Sequence, residues 1–199
     1  MLHDSLMNSG AQSPSPAADG GALSLGRRIR TLREERGVSL SELARRAGVG
    51  KATLSGLENG TRNPTLETLW AITRELGVPL ATVIGPPALP GAPPSPDPVI
   101  HGAAVRGTLL QVFEDEDVTY ELYRLTVRPG TPQVSPAHHE GVTEHVTVFA
   151  GTLSAGPAGA PLRAGPGEHI SWRSDVPHVY AALGDQDVHA SLLIRYPRR

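Results

Sequence analysis

A proline-rich segment near the middle of the chain is the feature that most constrains its fold. Seven of the fourteen residues from Gly85 to Pro98 are proline, and a segment of this composition favours a semi-extended spacer over a packed helix or strand. The chain has 199 residues, which is enough for a small domain with a core of its own on each side. We therefore predict two domains joined by a linker over residues 86–98.

The two sides of this linker differ in charge and in histidine content. Residues 24–85 contain ten Lys and Arg against six Asp and Glu, whereas residues 99–199 contain eight against eleven. Seven of the eight histidines lie from His101 onward. A basic half without histidine thus precedes an acidic, histidine-rich half, and the two halves should have different partners.

Composition also excludes several classes of protein. The chain has no cysteine, which rules out disulfides, cysteine-type zinc fingers and thiolate catalysis, so that any metal must bind His, Asp or Glu. No apolar run approaches the roughly 18 to 20 residues that cross a bilayer. Residues 1–23 are rich in Ser, Ala, Gly and Pro and lack a signal-peptide pattern, so a disordered tail is predicted. We expect a cytoplasmic protein without a membrane partner.

Between the tail and the linker, apolar residues recur at helical spacing. Ser39 followed by Glu42 is a capping box, and Gly37 and Gly77 stand where helices should end. These signals predict a domain over residues 24–85 with five short helices. The first ends near Gly37, and the others cover residues 40–47, 51–59, 65–76 and 80–84.

Beyond the linker, short runs rich in Val, Thr and Tyr alternate with Gly and Pro. This texture is typical of an antiparallel sandwich or barrel, and we predict one over residues 99–199. The predicted strands cover residues 108–113, 118–127, 144–149, 169–172, 178–182 and 190–196.

Residues 39–49, Ser-Leu-Ser-Glu-Leu-Ala-Arg-Arg-Ala-Gly-Val, are followed by Thr53-Leu54-Ser55 and Leu57-Glu58-Asn59-Gly60. This pattern, with the downstream Asn63-Pro64-Thr65-Leu66-Glu67, resembles the XRE family of phage-repressor-like helix-turn-helix proteins. The resemblance covers about 60 residues and implies a five-helix, lambda-repressor-like domain that binds double-stranded operator DNA. It also implies that residues 51–59 form the recognition helix, and that Arg33 and Glu58 form a partly buried ion pair.

The resemblance assigns DNA-binding roles along the recognition helix. Base-reading positions fall on Lys51, Ala52 and Gly56, of which only Lys51 carries a hydrogen-bond donor. Direct readout should therefore be sparse, and DNA shape should contribute to specificity. The alternative is that this basic surface is simply solvated. The remaining candidate DNA contacts are Thr53, Ser55, Asn59 and Arg62, the last three at phosphate positions.

In the strand that begins at Glu144, the alternation of side chains places Glu144 on the same face as Val146 and Val148. If the valines face the core, the carboxylate faces it too. A buried carboxylate needs a cation, a donor or a metal, because leaving it unpaired in an apolar interior costs several kcal/mol. The nearby histidines are the candidate partners.

His138, Glu140, Glu144 and Gly151 fall into the register of the first motif of the cupin family, and Gly167, Asp175 and His178 fit the second. The sequence therefore resembles the cupins, which implies a jelly-roll β-barrel with a site in its interior. Glu140 stands where metallo-cupins have their second His, so the full set of three His and one Glu is absent. The candidate effector-binding residues are His138, Glu140, Glu144, His178 and Tyr180.

A metal remains a candidate cofactor of this site. His138, Glu144 and His178 could hold Zn, Fe, Ni or Mn, with Glu140 or water completing the ligand set. The alternative is a metal-free polar pocket.

The two resemblances together imply an XRE and cupin transcriptional regulator that is a homodimer and not an enzyme. The cupin would sense a small-molecule effector and, through the geometry of the dimer, change operator binding. Two alternatives stay open. The cupin could be a metal-dependent enzyme of the dioxygenase or isomerase type, or it could serve only for dimerisation.

Overall fold

The computed structural model describes residues 16–85 and 98–197. The predicted linker, apart from Pro98, lies outside the described residues, as do residues 1–15. The chain is α + β, with a helical N-terminal domain followed by antiparallel sheets, as predicted. The helices are α1 (Pro16–Glu35), α2 (Leu40–Ala47), α3 (Lys51–Glu58), α4 (Leu66–Leu76) and α5 (Ala81–Ile84).

Local capping explains where these helices begin and end. The Ser39 side chain accepts a hydrogen bond from the Glu42 backbone N–H at the start of α2, and Gly48 ends that helix in the left-handed conformation with φ 65°. Thr65 and Gly77 do the same for α4.

The start of α1 differs from the expectation. A disordered tail was predicted to reach residue 23, but the helix already begins at Pro16. Proline suits the first helical turn, where the missing N–H would have no partner, and the packed part of α1 extends the helix backwards from there.

Ten strands follow in the described part of the chain and form two antiparallel sheets. Their order is β1-β2-β3-β10-β5-β8 in the larger sheet and β4-β9-β6-β7 in the smaller. The strands are β1 (Val99–His101), β2 (Val105–Glu114), β3 (Val118–Val127), β4 (Gln133–Ser135), β5 (Thr143–Ala150), β6 (Leu153–Pro157), β7 (Leu162–Ala164), β8 (His169–Arg173), β9 (His178–Ala182) and β10 (Val188–Pro197).

The two sheets pack as a cupin jelly roll, with alternate side chains of each strand in a shared interior. In β3, β5 and β10 the buried and less buried residues alternate along almost the whole strand. The predicted barrel is not closed by hydrogen bonds, because in the described part of the chain no strand of one sheet pairs with a strand of the other.

Helix α4 fills part of this interior. Leu66 and Trp70, which are 1% and 2% exposed, line a small cavity together with Tyr123 of the larger sheet and Tyr180 of the smaller. Trp70 is buried, and its indole ring faces the jelly roll. The helical domain thus packs directly on the jelly roll.

Two polar contacts border this interface. The Gln133 side-chain amide donates to Glu67 of α4, and the Ala81 backbone N–H at the start of α5 donates to the buried carboxylate of Glu121 at 2.5 Å. None of the described helices is long and apolar enough to span a membrane.

Candidate functional site

Helices α2 and α3 form the helix-turn-helix. Gly48 turns the chain after α2, and the Val49 backbone N–H returns to the Ala44 carbonyl at 2.9 Å. Helix α3 then begins at Lys51 and packs through Leu54 and Leu57, which are essentially buried. The opposite side of α3 is left at the surface.

The predicted DNA contacts lie on that outer side. Lys51, Ala52, Asn59 and Arg62 are exposed, and Thr53, Ser55 and Gly56 are half-buried. Arg62 follows α3 and folds back over Gly56, where a Cβ atom would lie 3.0 Å from the Arg62 Cδ atom. All seven residues are therefore at least partly exposed, on α3 or in the turn after it.

The charges near this surface are of two kinds. Glu42 of α2 accepts hydrogen bonds from Arg45 and Arg46 at 2.7 Å each, and these bonds lower the pKa of Glu42 to about 2. Lys51 and Arg62 form no ion pair with any described residue, so their charges stay available for phosphates or bases.

In the jelly roll, three strands or their flanking loops bring His138, Glu144 and His178 together. All three side chains are almost fully buried, and their ligand atoms lie within 4.8 Å of one another. The Nε2 atom of His138 is 2.7 Å from Glu144 Oε1, and that of His178 is 3.3 Å from the same oxygen. Tyr180 donates its hydroxyl hydrogen to Glu144 Oε2.

The two imidazoles determine the charge of Glu144. Burial by itself raises the pKa of this carboxyl, but the charge of His178 and the hydrogen bond from His138 outweigh it and hold the pKa well below its ordinary value. For His178, burial lowers the pKa, and the carboxylate of Glu144 reverses this, so that the pKa is raised. Glu144 and His178 therefore each favour the charged form of the other in an apolar interior.

The donor set fits a divalent metal ion. His178 Nδ1 donates to the Val176 carbonyl at 2.9 Å, which fixes the ring and leaves Nε2 facing the cluster. That Nε2 atom is buried and lies 3.3 Å from Glu144 Oε1. Two imidazole nitrogens and a carboxylate oxygen are ligands that Zn, Fe, Ni and Mn accept.

The structure does not bring every candidate residue into this cluster. Glu140 is exposed in the turn before β5, so it does not stand in for the missing histidine of the cupin motif. His145 and His169 stack on each other across the outer face of the larger sheet, with their ring centroids 5.7 Å apart. Tyr180, in contrast, lies in the cluster, where its hydroxyl donates to Glu144.

Trp70 is the member of the site that the sequence analysis missed. Its ring centroid lies 5.2 Å from that of His138, edge to face, and 6.2 Å from that of His178. Helical periodicity identifies Trp70 as an inward residue of α4, but it gives no sign that this inward face meets a second domain.

A larger cleft of about 710 Å³ lies elsewhere along the interface between the domains. It is lined by residues that include Arg28, Ala81, Glu114, His139 and Tyr196. It does not include His138, Glu144 or His178, and its polar groups do not converge on one point as those three do.

Comparison with known proteins matches both parts of the chain. The helix-turn-helix family model HTH_3 matches residues 29–83. The HTH-type transcriptional regulator SutR of Escherichia coli K12 is 37% identical over 170 residues, which is 85% of this chain and 93% of that protein.

Two solved structures are also similar. An HTH_3 family transcriptional regulator from Vibrio cholerae has 26% identity and a TM-score of 0.73, and the match covers 91% of this chain and 99% of that one. The Cupin_2 domain of an XRE family transcriptional regulator from Enterobacter cloacae has 32% identity and a TM-score of 0.38, covering 40% of this chain and 83% of that one.

Proposed function

The chain belongs to the family of HTH-type transcriptional regulators, and from this premise we propose that it binds operator DNA as a homodimer and that its jelly roll senses a small molecule. The observation that carries the sensing half is the buried cluster of His138, Glu144 and His178. A site of this polarity in an apolar interior has a cost in stability that DNA binding alone does not require.

DNA binding is assigned to the outer side of α3. Lys51 lies at its N-terminal end, where a side chain can reach base edges in the major groove. Arg62 and Asn59 lie at the other end, near the expected path of the phosphates. Exposure of these groups and the lack of ion pairs at Lys51 and Arg62 within the described residues support this assignment.

The homodimer is assigned to the outer face of the larger sheet. Phe113 is 43% exposed there and is paired across the strands with Tyr120, next to the pair of Gln111 with Leu122. Leu193 of β10 extends this apolar patch. Pairing of two such faces would place one recognition helix at each of two operator half-sites whose centres are about 34 Å apart.

Sedimentation of the full chain tests the dimer. Leu122→Arg should shift the protein from dimer to monomer, because a charge in the centre of an apolar contact is left without a partner. Val134→Arg is the matched control, since Val134 is 61% exposed on the smaller sheet. A dimer that survives Leu122→Arg unchanged contradicts this assignment.

The sensing site can hold a metal through His138, Glu144 and His178. A bound divalent ion would supply positive charge for an oxygen atom of the effector. The test is metal content after loading with Zn²⁺ and gel filtration. Wild type should retain about one ion per chain and His178→Ala should lose it, whereas His145→Ala, the same change on the outer face, should not. Equal retention in all three proteins would exclude this ligand set.

Sensing itself is tested by titrating operator binding against candidate metabolites. The operator is first selected from random DNA with the purified chain. An effector should shift the affinity of wild type by about 5- to 150-fold and should leave the variant with Glu144→Gln and His178→Ala unaffected. An equal shift in both proteins would place the sensing site elsewhere, and no shift with any metabolite would favour a jelly roll that only dimerises.

A further inference from the structure

Helix α4 belongs to the DNA-binding domain, yet it forms part of the wall of the sensing site. Trp70 is 2% exposed and contacts both imidazoles of the cluster. Leu66, one turn earlier on α4, enters the same interior beside Leu192 and Ile194. The two domains therefore share one apolar core at this point.

Little space remains around these side chains. The cavity that Leu66 and Trp70 line has a volume of about 10 Å³, which is close to the minimum for one water molecule. Sites for small organic ligands occupy about 300 to 1,000 Å³. This cavity reaches the cluster through Trp70 and Tyr180 and is not lined by His138, Glu144 or His178 themselves. With Trp70 in place, it can hold a water molecule but not a metabolite.

The polar atoms around Trp70 are incompletely satisfied in this closed arrangement. Trp70 Nε1 and Trp172 Nε1 are buried, and neither has a hydrogen-bond partner among the described residues. The Trp172 ring lies 6.4 Å from that of His178, so these groups surround one region. The Trp172 indole N–H, which stays in place when Trp70 leaves, is a donor without an acceptor and suits a ligand that presents carboxylate or similar oxygen atoms.

We propose that Trp70 is an intramolecular plug of the sensing cavity, so that an oxygen-rich small molecule and docked α4 compete for the same space. This inference rests on the proposed sensing function, and it adds the route by which the signal reaches DNA. Ligand entry expels Trp70, and expulsion of Trp70 releases α4 together with α2, which packs on it, and the recognition helix that follows α2.

Release has a direct consequence for operator binding. While α4 is docked, each recognition helix has a fixed position on its jelly roll, and two helices in a dimer can be spaced for two half-sites. After release, each DNA-binding domain is held only by the linker, and ordering both domains on DNA has a larger entropic cost. The ligand therefore lowers operator affinity through direct contact, and no rigid linker is required.

The cavity can be probed without knowing the ligand, because the chain has no cysteine of its own. Val105 is buried and lines the cavity beside Trp70. In a Val105→Cys background, Trp70→Ala should increase the rate of reaction with dithionitrobenzoate about tenfold or more, since it opens the path that Trp70 blocks.

Two controls distinguish a plug from a merely structural residue. Val148→Cys is buried in β5 away from this cavity, and its reaction rate should not change with Trp70→Ala. Leu69→Ala removes a buried side chain of the same helix that does not line the cavity, and it should leave the Val105→Cys rate unchanged. Equal acceleration at both cysteines, or the same acceleration by Leu69→Ala, would overturn the proposal.

Operator binding supplies the second readout. Without any added ligand, Trp70→Ala should lower operator affinity about 5- to 150-fold, whereas Trp70→Phe, which keeps an aromatic plug, should stay near wild type. Unchanged affinity of Trp70→Ala would refute the coupling through α4. Because neither assay uses a metabolite, their failure is distinguishable from the failure of effector sensing, which the metabolite titration tests.

Discussion

Arg33 and Glu58 join the first and third helices by a bidentate ion pair. Arg33 Nε lies 2.7 Å from Glu58 Oε1, and Nη2 lies 2.8 Å from Oε2, with both side chains at most 10% exposed. The sequence analysis predicted this pair, and the structure confirms it. The guanidinium also donates to the Val38 carbonyl at 3.0 Å, so it ties α1 to the loop before α2.

Removing one partner of this pair should be costly. Glu58→Ala leaves the Arg33 charge buried without its carboxylate, and we expect the free energy of unfolding to fall by about 3 to 5 kcal/mol. Urea-induced unfolding, followed through the transition of the helical domain, measures this free energy. Arg30→Ala, which breaks the exposed pair with Glu34, should have a much smaller effect. A double variant with Arg33→Ala and Glu58→Ala that is no more destabilised than either single variant would confirm the coupling of these two residues. Additive losses of stability would contradict it.

Gly26 determines how closely α1 can approach α3. A Cβ atom at this position would collide with the Leu57 carbonyl oxygen and lie 2.9 Å from that of Glu58. Backbone atoms cannot rotate away as a side chain can, so Gly26→Ala should force the helices apart.

We expect this substitution to destabilise the helical domain by about 1 to 3 kcal/mol, although alanine is the better helix former. Thermal unfolding followed by circular dichroism measures the change. Gly159→Ala provides the matched control, because no atom lies within 4 Å of a Cβ atom placed there. Greater stability of Gly26→Ala would show that α1 and α3 are not packed as closely as described.

Helix α3 and the turn after it should contribute to DNA binding in two different ways. Lys51 at the start of α3 can donate to guanine acceptors, so Lys51→Ala should lose about 1 to 3 kcal/mol on the operator and discriminate less at that base pair. Binding to the selected operator and to single-base variants of it measures both effects. Equal losses on every DNA sequence would assign Lys51 to a phosphate instead.

Arg62 should act through phosphate alone. Arg62→Ala should weaken binding to all sequences alike and reduce the slope of log affinity against log salt by about one unit. Arg163→Ala removes the same charge from an exposed position on β7 and should leave the slope unchanged. An unaltered slope for Arg62→Ala would remove this residue from the DNA interface.

The contact between the domains should make the stability of the whole chain depend on pH through Glu121. This carboxyl is fully buried, where it accepts hydrogen bonds from the Ala81 backbone N–H of α5 and from the Tyr123 hydroxyl. Burial raises its pKa from an ordinary value of 4.5 to about 7, although these hydrogen bonds act in the opposite direction. The folded chain therefore holds this proton over a range in which the unfolded chain has lost it.

The sign of the effect follows from proton linkage. Because the folded state binds more protons between pH 4.5 and about 7, stability decreases as pH rises through this range and levels off above it. Glu121→Gln is neutral at every pH and can still accept from Ala81. As pH rises from 5 to 7, the free energy of unfolding of wild type should therefore fall relative to that of Glu121→Gln. A difference independent of pH contradicts the assignment.

Local signals in the sequence determined most of the elements. Capping residues and apolar periodicity fix the second to fifth helices to within about a residue, since these signals act between neighbours in the chain. The strands β3 and β9 were predicted with their observed bounds, and β2, β5, β8 and β10 with slightly shorter ones. The strands β1, β4, β6 and β7 were missed, because three to five residues are too few to show an alternation, and pairing with a neighbouring strand is what makes them extended.

The candidate site divides in the same way. Motif spacing identified His138, Glu144 and His178, and the alternation along β5 predicted that Glu144 faces inward. Only the tertiary structure excluded Glu140 and added Trp70. Motif spacing relates residues that are close to each other in the sequence. The contact of Trp70 with His138 joins positions that are 68 residues apart and lie in different domains. Burial of apolar surface between two folded domains decides such a contact, and neither domain's sequence pattern specifies it alone.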